Sequence, residues 1–283
     1  MRIGITAFLT DRSIRPAEWA KHVEQRGFNS LFLPEHTHLP VSEDTPPAVV
    51  EGVNPDDYPR SLDPFVALAS AASVTTSLKL GTGVSLVAQH DPITLAKQIA
   101  TLDNISGGRF VLGVGFGWNK TEAADHGIKF NQRREVAREK VLCMRELWSK
   151  ERAEFHGRHV ELPPSFAWPK PEKGIPILVG GAAGPLTFEA IAEYADGWMP
   201  IGGAGIGRSV QSLREAFDAS GRDPSSIEVV PFGTIPSTGK LEHLAEAGCT
   251  EVVLRVRAAD EAEMLRCLDD YSSYLEEGWA TGE

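Results

Sequence analysis

Cysteine is scarce in this chain of 283 residues: Cys143, Cys249 and Cys267 are the only three, and no two lie close together. Disulfide frameworks and zinc sites need closer pairs, so neither is expected, and a reducing, cytoplasmic setting fits best. Long apolar runs are missing as well. None approaches the ~20 residues that a membrane helix requires, and the opening MRIGITAFLTDRS turns polar too soon for a signal peptide; it reads as a first strand. Positive charge is in deficit, with 28 Lys and Arg against 39 Asp and Glu, a net charge of −11. An acidic surface repels phosphate backbones, so neither nucleic acid nor a membrane is the expected partner. A small-molecule substrate is. Internal repeats, low-complexity linkers and breaks in composition are also lacking, so residues 1–283 read as one domain.

What the chain does have is alternation. Short β-rich runs at 3–7, 30–33, 78–83, 109–113, 175–179, 197–201, 227–232 and 251–256 alternate with amphipathic stretches. These stretches span 16–26, 64–73, 92–105, 134–149, 186–194, 207–220, 240–247 and 260–276. Pro16, Pro64 and Pro92 sit where a first helical turn tolerates a missing N–H. Strand–helix alternation implies a parallel sheet with helices outside. Eight units at this length imply an α/β fold closed as a (β/α)8 TIM barrel, with an open doubly wound sheet as the alternative. The stretch 150–174 breaks the rhythm. It is an insertion between the fourth unit and the fifth strand, and residues 153–160 read as a hairpin turning near Gly157.

In a barrel, chemistry gathers where the strands end at their C-terminal side. Strand two ends in Glu35 and His36, with His38 close behind, and enters a long polar loop to Asp63 that is expected to form part of a lid. A histidine there can exchange a proton near neutral pH. The His36-x-His38 pair also raises a metal reading, but matching ligands at other strand ends are missing, so no metal is expected. Strand three ends in Thr82, Gly83 and Val84, small enough for a flat ring to approach. Strand four runs into Gly115, Gly117, Trp118 and Asn119. The spacing is G-x-G-x-G, without the acidic residue that a dinucleotide fingerprint needs. Gly180 and Gly181 open a glycine-rich strand-to-helix turn whose free amides suit a phosphate. Met199 closes strand six and suits the flank of a ring. Arg255 and Arg257, two apart on strand eight, share a face, where an arginine needs an anion or a carboxylate.

Several of these segments together resemble the bacterial luciferase-like monooxygenase superfamily. They are Pro34-Glu35-His36, the run from Leu80 to Val84, the run from Asp91 to Lys97, and the block Ser106-Gly107-Gly108-Arg109-Phe110 continuing to Gly115. Pro176 to Gly181 and Ala195 to Trp198 complete the set. Within that superfamily the chain is most similar to the branch that uses coenzyme F420, a 5-deazaflavin. The resemblance implies the barrel fold, a homodimer, and an F420-dependent oxidoreductase with His36 as proton donor or acceptor. It implies a cofactor-binding set of Glu35, Thr82, Gly83, Val84, Gly115, Trp118, Asn119, Gly180, Gly181 and Met199. A non-prolyl cis peptide would fall at Gly83–Val84, and the glycine loop after strand five would hold the cofactor phosphate. An FMN-dependent monooxygenase and a non-catalytic cofactor-binding barrel are the alternatives. Members that oxidise sugar phosphates carry a catalytic acid after the strand-four loop. Trp118 and Asn119 stand there in this chain, which speaks against sugar-phosphate oxidation.

Overall fold

The computed structural model describes residues 1–41, 54–203 and 205–279. The chain runs β1 (Arg2–Ala7), α1 (Pro16–Gln25), β2 (Ser30–Leu33), α2 (Pro64–Ala72), β3 (Lys79–Thr82), α3 (Pro92–Ser106) and β4 (Phe110–Val114). A short α4 (Lys120–Asp125) and a long α5 (Arg133–Ser149) precede the hairpin β5 (Ala153–His156) and β6 (Glu161–Ser165). Then follow β7 (Ile177–Gly180), α6 (Pro185–Tyr194), β8 (Gly197–Met199), α7 (Ile206–Ala219), β9 (Glu228–Val229), β10 (Phe232–Thr234), α8 (Thr238–Glu246), β11 (Glu251–Val256) and α9 (Glu261–Ser272). The middle of the expected lid, 42–53, lies outside the described residues.

The sheet is parallel throughout, ordered β10-β11-β1-β2-β3-β4-β7-β8-β9. β9 and β10 are two pieces of one stave. Val230 N–H donates to Trp198 O at 2.8 Å and Val253 N–H to Pro231 O at 2.9 Å, so the segment between the pieces bonds to both neighbours. A parallel bridge from Ile201 to Phe232 completes the seam. Pro231 has no N–H to give to the ladder, which is why one expected strand appears as two. The ring is therefore an eight-stave barrel, as the alternation implies.

Inside it, Phe32, Val111, Leu178, Met199, Val230 and Val253 form a small core. The larger core lies between sheet and helices. Pro16, Pro64, Pro92 and Pro185 all stand at helix starts. The Ser-Gly-Gly-Arg block turns α3 into β4. Gly107 caps α3 with a φ of 70°. Arg109 then donates to Ser106 O, Thr75 Oγ1, Leu78 O, Ala72 O and Thr75 O at 2.6–3.2 Å. The insertion is an antiparallel hairpin turning near Gly157 as expected, with Phe155 opposite Leu162, but it runs further than the expected 153–160, because its second strand is Glu161–Ser165. Glu139 of α5 holds its turn by accepting the N–H groups of Arg158, His159 and Val160.

Close approach of β3 and β4 sets the floor of the barrel mouth. Thr82 Oγ1 donates to Gly113 O at 2.9 Å and accepts from Gly113 N–H at 3.0 Å. A Cβ on Gly113 would lie 2.0 Å from Thr82 O. Gly113→Ala must push the two staves apart, and overpacking against backbone of this kind costs about 3 kcal/mol. Chemical denaturation of the variant is expected to show that loss; a midpoint equal to wild type would refute the close-approach argument.

Candidate functional site

The staves end around a cavity of about 330 Å³. Gly83 and Val84 from β3, Gly115 from the β4 loop, Gly180 from β7 and Met199 from β8 meet at its floor. The Gly83–Val84 peptide is cis. Val84 is clasped by glycines, since a Cβ at Gly115 would lie 2.2 Å from Val84 Cγ2 and one at Gly180 2.9 Å from Val84 Cγ1. The result is a flat, largely apolar bed, with Phe8, Ile201 and Phe232 on its walls. Gly181, with a φ of 143°, continues into Gly184 at the start of α6, where no side chain caps the helix. Pro185 has no N–H and the Thr187 and Phe188 amides close on Gly184 O at 3.0 Å, so it is the amides of the Gly181–Gly184 turn and of Leu186 that are placed to meet an oxyanion. Together, the bed and the amide loop suit a planar ring carrying a phosphate.

His36 stands on the wall beside this bed. Its Nδ1 lies 3.0 and 3.1 Å from the two carboxylate oxygens of Glu122, which is fully buried in the first turn of α4. A carboxylate only accepts, so Nδ1 carries hydrogen and donates. The neutral ring then presents Nε2 as its basic nitrogen, and the protonated ring presents it as its acid. Tyr58 and Trp118 box the imidazole edge-on, with ring centres 5.2 and 5.8 Å from it. Burial pushes the Tyr58 hydroxyl pKa up, against the opposing pull of Arg255. The box keeps water from most of the ring, and the histidine side chain is 8% exposed.

Glu35 adjoins His36 in sequence but does a different job. Its carboxylate turns behind the wall, accepting from Ser85 Oγ at 2.8 Å, Leu86 N–H at 2.6 Å and His90 Nε2 at 2.7 Å. It thus fixes the two residues that follow Val84, and with them the bulge under the bed. Thr82 and Asn119, expected to touch a cofactor, are not among the lining residues. Thr82 is tied up in the β3–β4 stitch. Asn119 is buried as the N-cap of α4, accepting from Thr121 and Glu122 N–H groups at 3.0 and 3.1 Å. Glu35, Gly83, Val84, Gly115, Trp118, Gly180, Gly181 and Met199 come together around the cavity with His36, Glu35 with its carboxylate turned to Ser85, Leu86 and His90. Arg255 reaches the cavity and Arg257, past the strand end, is exposed.

Several residues of the site are silent in a reading of strand ends. Tyr58 comes from the far end of the long loop, and Arg133 and Arg134 from the start of α5. Glu122 had a signal: Asn119 followed three positions on by an acid is a helix-start signature. The acid missing at 118 and 119 is supplied at 122, and it addresses His36 instead of lining the cavity. His38 turns to Asp125, 3.1 Å away, and Thr37 to His126, 2.8 Å away, so residues 36–38 latch onto α4 along its length. Among the described residues, the histidines and acids close enough to share an ion are Glu135, Glu139 and His159, a set that includes neither His36 nor His38.

Comparison with known proteins agrees with the barrel fold. Residues 12–264 match the model of the family described as luciferase-like monooxygenase. An uncharacterized protein of Mycobacterium tuberculosis is 44% identical over 268 residues, covering 93% of this chain and 95% of its own length. The F420-dependent glucose-6-phosphate dehydrogenase of Kineococcus radiotolerans is 30% identical over 220 residues, covering 75% of this chain and 60% of the relative. Among solved structures, the monooxygenase RslO1 from Streptomyces bottropensis superimposes with a TM-score of 0.75 at 22% identity, covering 97% of this chain and 98% of that one.

Proposed function

The chain belongs to the luciferase-like monooxygenase family, and from that premise we propose that it is an oxidoreductase dependent on coenzyme F420. A hydride would pass between the deazaflavin and a small organic substrate, and His36 would take up or deliver the matching proton. One observation carries this reading: an imidazole held by a buried carboxylate at the edge of a glycine-floored, apolar bed. Similarity to a relative named for F420 dependence supports the choice of cofactor.

When bound, the deazaflavin supplies the two-electron hydride chemistry, and the chain supplies orientation and a proton. Val84, Gly115 and Gly180 would bear the ring, Met199 and Phe232 would flank it, and the amides from Gly181 to the start of α6 would hold its phosphate. Glu122 holds His36 in the tautomer whose Nε2 is free to act. Tyr58 and Trp118 exclude water, so the proton moves between Nε2 and a substrate oxygen rather than to solvent.

Titration of the purified protein with F420 and with FMN tests the reading. Binding of F420 at about micromolar Kd or tighter is expected, with FMN weaker. Tight FMN binding without F420 binding, together with oxygen consumption on adding reduced FMN, would replace the proposal with a flavin monooxygenase.

A further inference from the structure

Arg133 and Arg134 open α5 and line the cavity beside the β4 loop, away from His36 in role and unused by the proton chemistry. Arg133 stacks 3.7 Å from the centre of Phe130 and donates to Phe130 O at 2.7 Å and Gly117 O at 3.3 Å. Arg134 stacks 4.2 Å from the centre of Phe116, and its Nη1 is shut off from solvent with no hydrogen-bond partner. The next residue, Glu135, turns to Arg158 and His159. Among the described residues, neither arginine has a carboxylate within ion-pair distance. Burial, and after it the charge of Arg134, lowers the Arg133 pKa. Two like charges partly withdrawn from water repel each other. An oxyanion seated against both removes that repulsion and satisfies the orphaned N–H.

The position says where such an anion comes from. β4 and β7 are neighbouring staves, so the arginines stand next to the stave whose loop, Gly180–Gly184, offers amides to a phosphate. A ring ligand lying on the bed would send its tail toward this side. Resting on the deazaflavin reading, we propose that Arg133 and Arg134 form a second anion seat for the acidic tail of the ring ligand. The chemistry is that of a phosphodiester or of the carboxylates of an oligoglutamyl chain beyond it. The seat makes the protein select tailed cofactor over the bare ring.

The test measures Kd for three deazaflavins: the bare ring with its ribityl chain, the phosphate-bearing form without glutamates, and the full oligoglutamyl form. Wild type is expected to bind a tailed form at least about tenfold more tightly than the bare ring, and Arg134→Gln to remove about tenfold of that preference. The double variant Arg133→Gln, Arg134→Gln should keep only the smaller gain that the Gly181–Gly184 amides give the phosphate-bearing forms, and should bind the oligoglutamyl form no better than the form without glutamates. Bare-ring affinity equal to wild type shows that the variants are folded and the bed intact. If the variants lose part of the gain already with the phosphate form, the seat belongs to phosphate; if they lose only the gain added by the glutamates, it belongs to carboxylates. If wild type binds bare and tailed rings equally, or the variants keep the whole preference, the seat is refuted while the deazaflavin reading stands. If wild type binds none of the three but binds FMN, the cofactor reading falls, and this inference with it.

Discussion

His36→Ala is expected to lower turnover about 10³-fold while leaving cofactor affinity nearly unchanged, because a positioned acid–base group contributes on that scale. The side chain is on the wall of the cavity rather than its floor, so the bed of Val84, Gly115 and Gly180 survives its removal. Added imidazole should restore part of the rate, since the space boxed by Tyr58 and Trp118 remains. Rescue is the decisive arm, as a histidine needed only for packing gains nothing from free imidazole. Glu122→Gln probes the same device from behind. The amide keeps the volume but can turn an N–H toward Nδ1, and the proton is then free to sit on Nε2. A loss of about 10–100-fold in kcat is expected, with KM close to wild type. Should His36→Ala retain wild-type turnover on a substrate that wild type uses, the proton role is lost.

The order of elements was legible because it is written locally. Short β-rich runs bounded by glycine and proline mark the staves, and Pro16, Pro64 and Pro92 mark helix starts without reference to anything distant. The places where local reading fell short have physical causes. Residues 227–232 carry a strand pattern, yet Pro231 splits the stave, because hydrogen-bonding capacity and side-chain pattern are separate properties. α4 has six residues, too few for a hydrophobic period, and only its cap betrays it. Thr82 and Asn119 sit next to lining residues in sequence but point elsewhere, one into the seam between staves and the other into a helix start. His36 was legible by its place at a strand end. Its partner Glu122, 86 positions on, and Tyr58, at the far end of the loop, meet it only through the closure of the barrel.

Glu35→Ala is expected to cost about 3–5 kcal/mol of folding stability, as removing one partner of a buried ion pair does. The carboxylate is 3% exposed and accepts three hydrogen bonds, so its loss strands His90, Ser85 Oγ and Leu86 N–H together. Burial alone would raise the Glu35 pKa; the His90 bond and charge, then Ser85 and Leu86, outweigh it and bring it below its usual value. Burial likewise opposes the charge on His90, and Glu35 overcomes it and raises the His90 pKa. The two shifts bound a window. The stability due to Glu35 is present above its unfolded value near 4.5 and is lost as pH falls through the lower folded one. The stability due to His90 is complete below its unfolded value near 6.5 and is lost as pH rises through the higher folded one. The pair therefore contributes most between those two unfolded values, and Glu35→Gln should flatten the wild-type decline in stability on the alkaline side. Denaturation midpoints measured from mildly acidic to mildly alkaline pH decide it: parallel curves for wild type and Glu35→Gln would mean that the pair is not the source of that slope. The consequence reaches the site, because Ser85 and Leu86 follow directly on Val84. A chain that loses Glu35 loosens the bed before it loses its fold, and ligand affinity should fall at temperatures well below the melting transition.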